Sequence, residues 1–198
     1  MTLSTENMIL EKMKKARRGT LFFTDNFLTI GNSKTVNKAL ERLVAKEEIT
    51  RVARGIYTRP KTSKLVGEIK PTTEEIAKAI AKRDKARITP TGNYALHILG
   101  LSPQVPMNAV FLTDGAARNI TIGNRSILLK KTAPKNLSTI GEISGLAIQA
   151  LKTIGKDNVK DWEQNKIIDA LKKEQPYKLQ HDIRMAPEWI RKIMRKAI

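Results

Sequence analysis

Between Ser33 and Pro60 the chain sets cationic and short polar side chains at spacings suited to gripping a polyanion. Lys34, Lys38 and Arg42 recur every four residues, the interval that stacks side chains along one side of a helix. Ser33, Thr35 and Asn37 stand among them near the helix start, where a helix laid in a major groove presents its base-reading groups. Arg51, Arg54 and Arg59 follow in a stretch of period-two character around Arg54-Gly55. Lysine and arginine neutralise phosphates, while asparagine can bond the edge of an adenine and arginine that of a guanine. These residues form the candidate DNA-binding set. Thr35, Asn37, Lys38 and Arg42 are the expected base readers, and Arg54 is expected at a hairpin tip that reaches the minor groove or the phosphates. A solvated helix face would display the same lysines. The succession of a basic helix and an arginine-bearing hairpin favours a grip on duplex DNA.

Other chemistries find less support. The two histidines, His97 and His181, have no second ligand at metal-binding spacing, and His97 is expected to be structural. Asp84, Asp114, Asp157, Asp161 and Asp169 are scattered, as caps, turns and solvated faces would be. There is no GxxxxGK[ST] loop and no GxGxxG turn. The absence of cysteine excludes disulfides and thiolate zinc sites. No catalytic residue, metal site or cofactor is therefore expected, and the chain does not read as an enzyme. Its formal net charge of +18 favours a polyanionic partner: DNA, RNA, an acidic membrane surface or an acidic protein. Aromatic residues are only 5% of the chain, and Phe22, Phe23 and Phe27 are expected in a core. Few rings remain as stacking platforms for a single strand, so duplex is the better fit. No run approaches the ~20 apolar residues of a membrane span, and MTLSTENMILEKMKK is no secretory signal. The expected setting is soluble and cytoplasmic, with no membrane partner.

The elements that must position these residues are legible in outline. Ser4 is placed to cap a first helix carrying Ile9, Leu10, Met13 and Ala16 inward and ending near Arg17-Arg18-Gly19. Leu21–Phe23 reads as a short strand. Thr24 opens a short helix with Phe27, Leu28 and Ile30 as its buried side; Gly31 is expected to end it in a left-handed conformation, and Ser33 to cap the next. That next helix, Ser33–Lys46, buries Val36, Leu40, Leu43 and Val44. Lys61–Lys70 reads as a linker or weak strand, and Thr72 with Glu75 forms a capping box that restarts helix, with Ile76, Ala77, Ile80 and Ala81 inward. Beyond it come a helix at Thr91–Leu99, a strand at Ala109–Thr113 and a hairpin about Gly123-Asn124. Helices follow at Leu146–Ile154, Trp162–Leu171 and Glu188–Ala197. The fold class expected is α+β: a winged helix-turn-helix over residues 1–70 and a mixed α/β domain over 71–198.

The segment GTLFFTDNFLTIGNSKTVNKALERLVAKEEITRVARGIYTRP resembles the N-terminal winged helix of abortive-infection antitoxins of the AbiEi type and short bacterial proteins related to them. The shared elements are the phenylalanine-rich lead-in, Gly31-x-Ser33, Val36-x-x-Ala39-Leu40-x-x-Leu43 and Ile49-x-Arg51-x-x-x-Gly55-x-Tyr57. The stretch TGNYALHILGLSPQVP, ahead of Val110–Thr113, is similar to that family's second domain, whereas the C-terminal residues match only loosely. The resemblance implies a regulator that represses its own promoter and belongs to a type IV toxin–antitoxin pair. Its partners would be double-stranded DNA, bound as a monomer or a DNA-induced dimer, and a nucleotidyltransferase-like toxin. The alternatives are a basic protein-interaction module and a stand-alone transcription factor without a toxin.

Overall fold

The computed structural model describes residues 4–65 and 67–198. It is a mixed α+β protein that divides into two compact units, one comprising Met1–Ala79 with Ile120–Gly123, the other Ile80–Asn119 with Asn124–Ile198. No helix among the described residues is long and apolar enough to cross a membrane.

In the first unit Ser4 caps α1 (Thr5–Lys14) by accepting from the Asn7 amide at 3.3 Å. β1 (Leu21–Phe23) leads into a 3-10 turn at Thr24–Phe27, then α2 (Ser33–Ala45), β2 (Thr50–Ala53) and β3 (Ile56–Thr58). The three strands form an antiparallel sheet in the order β1-β3-β2, with Phe22 opposite Tyr57 and Arg51 opposite Tyr57 on its other side. The core is Ile9 and Met13 of α1, Phe27 of the turn, Val36, Ala39, Leu40 and Leu43 of α2, and Ile49 and Tyr57. Phe22 stacks on Phe27 at 5.7 Å between centroids.

The details of the α1–α2 connection differ from the sequence reading. Leu28, expected inward, is 47% exposed, because the 3-10 turn is too short to carry a second apolar position beneath the sheet. The turn is opened by Asn26, whose Oδ1 accepts from the Phe23 amide at 2.7 Å, and not by Thr24. Lys61–Lys70, read as a linker or weak strand, holds a small hairpin of β4 (Lys61–Ser63) and β5 (Gly67–Ile69); residue 66 of that stretch lies outside the described residues. The Thr72–Glu75 capping box forms reciprocally, at 2.7 and 3.2 Å, and opens α3 (Thr73–Arg83), in which Ile76, Ala77, Ile80 and Ala81 are buried.

The second unit contains β6 (Ile88–Thr91), α4 (Gly92–Ile98), β7 (Asn108–Thr113), β9 (Arg125–Lys131) and the first two residues of β8 (Arg118–Ile122), whose remainder is counted with the first unit. The sheet order is β6-β7-β9-β8. β6 pairs antiparallel with β7, and β7 parallel with β9. Arg87, just before β6, is held to Asp114 at the end of β7 by its amide and its Nε, at 2.7 and 2.8 Å. α5 (Glu142–Ile154), α6 (Asp161–Leu171), α7 (Pro176–Met185) and α8 (Glu188–Met194) complete the unit. α5 is the buried centre of this helical group: Leu146, Ala147, Ile148, Ala150 and Leu151 are each less than a tenth exposed. Ile167, Leu171, Leu179, Ile183 and Ile190 from the other three helices share its cluster.

Candidate nucleic-acid interface

α2 forms where it does because of Asn32. Its backbone is extended, and its side-chain oxygen accepts from both the amide and the hydroxyl of Thr35, at 2.9 and 3.0 Å. This corrects the expected Ser33 cap: Ser33 is the first helical residue, and Gly31 does not take a left-handed backbone. Asn32 and Ser33 are both good capping types, so composition alone does not choose between them. Asn32→Ala should cost about 1 kcal/mol of stability, read from the shift of the denaturant midpoint. An unchanged midpoint would show that packing alone holds the helix start.

With that start fixed, Val36, Ala39, Leu40 and Leu43 are buried, and Ser33, Lys34, Thr35, Asn37, Lys38 and Arg42 face solvent. Lys34, Thr35, Lys38 and Arg42 form one wall of a groove of about 460 Å³, whose other wall is Ser4, Thr5 and Glu6 at the start of α1. Ser33 and Asn37 lie along a neighbouring stripe, with Asn37 Nδ2 donating to Ser33 Oγ at 3.5 Å. The Thr35 hydroxyl is occupied by the cap, while Lys34 and Lys38 make no hydrogen bond or ion pair among the described residues.

Arg42 is different. Its Nη1 donates to Glu6 Oε1 at 3.1 Å, and Lys46 Nζ donates to Glu6 Oε2 at 2.6 Å. The bonds from Lys46 and then from Arg42 hold the Glu6 carboxyl below the usual carboxylate range. Glu6 thus stays ionised, and the clamp stays closed, until the pH falls through that lowered value. Glu6 lies 36 residues before Arg42, and nothing in local spacing announces the pairing.

The β2–β3 hairpin turns at Arg54-Gly55, where Gly55 has φ +73°, a backbone that other residues adopt only with strain. Its carbonyl accepts from the Thr24 amide at 3.2 Å, which ties the turn to the rest of the unit. Arg54 and Arg51 are exposed and make no hydrogen bond or ion pair among the described residues. Arg59 is separated from this set. It follows β3, is half-buried, and its Nη1 donates to the Met13 carbonyl at 3.5 Å, near the end of α1. The period of two holds no such signal, because β3 is buried on both faces and Arg51, opposite the buried Tyr57, is itself exposed.

The histidines stand elsewhere. His181 Nδ1 lies 2.8 Å from Asp182, and the buried Nδ1 of His97 has no hydrogen-bond partner among the described residues. Among the described residues no three histidine or acidic side chains gather as a metal site.

No curated protein matches the chain. A family model does, over residues 8–179, which takes in the whole groove wall on α2, the hairpin and most of the second unit. The chain belongs to that family, a family of unknown function, DUF6088.

Proposed function

We propose that the chain is a sequence-specific transcriptional regulator that binds duplex DNA through a winged helix-turn-helix, with α2 in the major groove and the β2–β3 hairpin as the wing. The observation that carries the reading is the pair of unneutralised lysines, Lys34 and Lys38, on the exposed side of a capped helix. It is supported by the free Arg54 at the tip of the hairpin that follows. The order helix, strand, turn, helix, hairpin, with β1 completing a three-stranded sheet, suits that docking. A net charge of +18 supplies the non-specific attraction on which base reading is superimposed. The likeness to AbiEi-type antitoxins extends the proposal to a cytoplasmic repressor of its own promoter that counters a nucleotidyltransferase-like toxin.

Fluorescence anisotropy against the gene's own upstream DNA and a scrambled duplex, across a salt series, tests this. A preference of about 1000-fold or more near physiological salt is expected of a specific regulator. Equal affinities that collapse together as salt rises would overturn it, and leave a basic protein-interaction module as the better account.

The Glu6 clamp gives an independent check. Glu6→Gln removes a negative charge from the groove and frees Arg42 and Lys46. Duplex affinity should rise about three- to ten-fold, with a salt slope steeper by about one. A fall in affinity would mean that Glu6 positions Arg42 for DNA instead of masking it.

A further inference from the structure

We propose that the cleft lined by α5, the end of α7 and the start of α8 binds a phosphate-bearing ligand, its phosphoryl oxygens held between Lys135, Lys152 and the side-chain amide of Gln149. The cleft lies wholly within the second unit and encloses about 490 Å³, within the range of small-ligand sites.

Its charge is of one sign. The charged residues lining it are Lys135, Lys152, Arg184 and Arg191, with no carboxylate among them. Arg191 is committed elsewhere: its Nε donates to the Ile183 carbonyl at 3.2 Å, one Nη to Ala186 at 3.3 Å, and the other pairs with Glu188 at 2.9 Å. Lys135 and Lys152 have no hydrogen bond or ion pair among the described residues. Crowding of the Lys152 ammonium by protein atoms, and then repulsion from Lys135, lowers its pKa below the ordinary lysine value. An anion seated between the two lysines would offset both effects.

Gln149 supplies a second, independent observation. It is 4% exposed and lines the cleft. Its Oε1 accepts from the Thr91 hydroxyl at 3.2 Å, and its amide nitrogen has no acceptor among the described residues. That nitrogen is not among the sealed, unsatisfied side-chain atoms, so it can donate to an acceptor seated in the cleft. The backbone that carries Lys135 is pinned by the Ser138 hydroxyl, which donates to the Lys135 carbonyl at 2.7 Å. Two free ammonium groups and a free amide donor therefore converge on one cavity, a set that matches the several acceptor oxygens of a phosphate. Beside them Met185, 48% exposed, and Pro187 offer an apolar wall on which a nucleoside could rest. A nucleoside phosphate and the backbone of a nucleic acid share this chemistry.

Isothermal titration of the full chain with ATP, with pyrophosphate and with a short oligothymidylate separates the sources. Lys135→Ala and Lys152→Gln are the test variants; both lysines are exposed, and circular dichroism checks that each variant folds. A Lys34→Ala/Lys38→Ala variant controls for binding on α2, so that failure of the DNA-binding reading is distinguishable from failure here. At least ten-fold weaker binding of ATP or pyrophosphate in both test variants, with the control unchanged, is expected for a free phosphate ligand. The same loss confined to the oligothymidylate would assign the site to a nucleic-acid backbone. Affinities within about two-fold of the parent for all probes would overturn the proposal, as would no binding of any probe at about 1 mM, a concentration matching only about −4 kcal/mol.

Discussion

Replacing Lys34 and Lys38 together by alanine should weaken binding to the upstream duplex by about 10- to 100-fold, if each contributes about 1 kcal/mol as a charged partner of a phosphate. The slope of log affinity against log salt should fall by about two, one for each phosphate no longer neutralised. The size of the effect follows from what these lysines lack. Each is exposed and without a carboxylate partner, so no protein interaction is broken when the ammonium meets a phosphate. The fold should be indifferent to the change, because neither belongs to the apolar cluster built from Val36, Ala39, Leu40 and Leu43. Arg42→Ala provides the internal control. Its guanidinium is shared with Glu6 at 3.1 Å, so it should matter less to affinity than either lysine. A double-lysine variant with the parent's affinity and salt slope would remove α2 from the DNA-binding surface, and with it the central claim of the proposed function.

The difference between the two lysines and Arg42 marks where the sequence is informative and where it is silent. Local, periodic features are readable: the apolar stripe of α2, the glycine at the hairpin turn, the Thr72–Glu75 box and the buried face of α3 all depend on residues within a few positions of one another. Which lysines and arginines are free is not. The Glu6 clamp and the bond from Arg59 to Met13 join residues 36 and 46 positions apart, and only tertiary packing brings them together. The cap of α2 escapes for a subtler reason. Asn32 and Ser33 are adjacent capping types, and the choice between them moves the helix start by one residue and shifts which side chain is spent on Thr35. In the second unit β6 is hidden because Thr-Pro-Thr, with a proline inside, argues against a strand. The structure admits it because β6 is at the sheet edge, where an amide can be lost without cost to the ladder. Helix α7 is hidden because its apolar residues are few; its place is fixed by packing of Leu179 and Ile183 and by one buried acid.

That acid is Asp182, and Asp182→Ala should be among the most destabilising single changes in the chain. The side chain has no measurable exposure. One of its oxygens accepts from the Ile140 amide at 2.9 Å, and the other from the Gly141 amide at 2.8 Å and from the Ser144 hydroxyl. These groups lead into and open α5, whose first amides have no partner within the helix. Glu174 takes the next two, Ile143 at 2.9 Å and Ser144 at 3.3 Å. Two carboxylates from outside the helix therefore do what a capping side chain does elsewhere, and their charge is favourable at that end of the helix dipole. The arrangement explains Gly141. A β-carbon there would come within 2.2 Å of Ser144 Oγ and 2.6 Å of Glu174 Oε2, so that hydroxyl and carboxylate can approach only a residue without a side chain. Removing Asp182 leaves the buried Gly141 amide and Ser144 hydroxyl unsatisfied, and the half-buried Ile140 amide without its acceptor, at roughly 1–3 kcal/mol for each group that water cannot reach. Partial relaxation brings the expected loss to about 3–5 kcal/mol, a large share of a typical domain's total stability. Glu174→Ala should cost less, near 1–2 kcal/mol, because that side chain is only half-buried and water can replace it. Gly141→Ala should also destabilise, by pushing away the Ser144 hydroxyl and the Glu174 carboxylate. Chemical denaturation of the three variants measures the order. A loss of less than about 1 kcal/mol for Asp182→Ala would show that the start of α5 is held by its apolar face, and that the carboxylates merely decorate it.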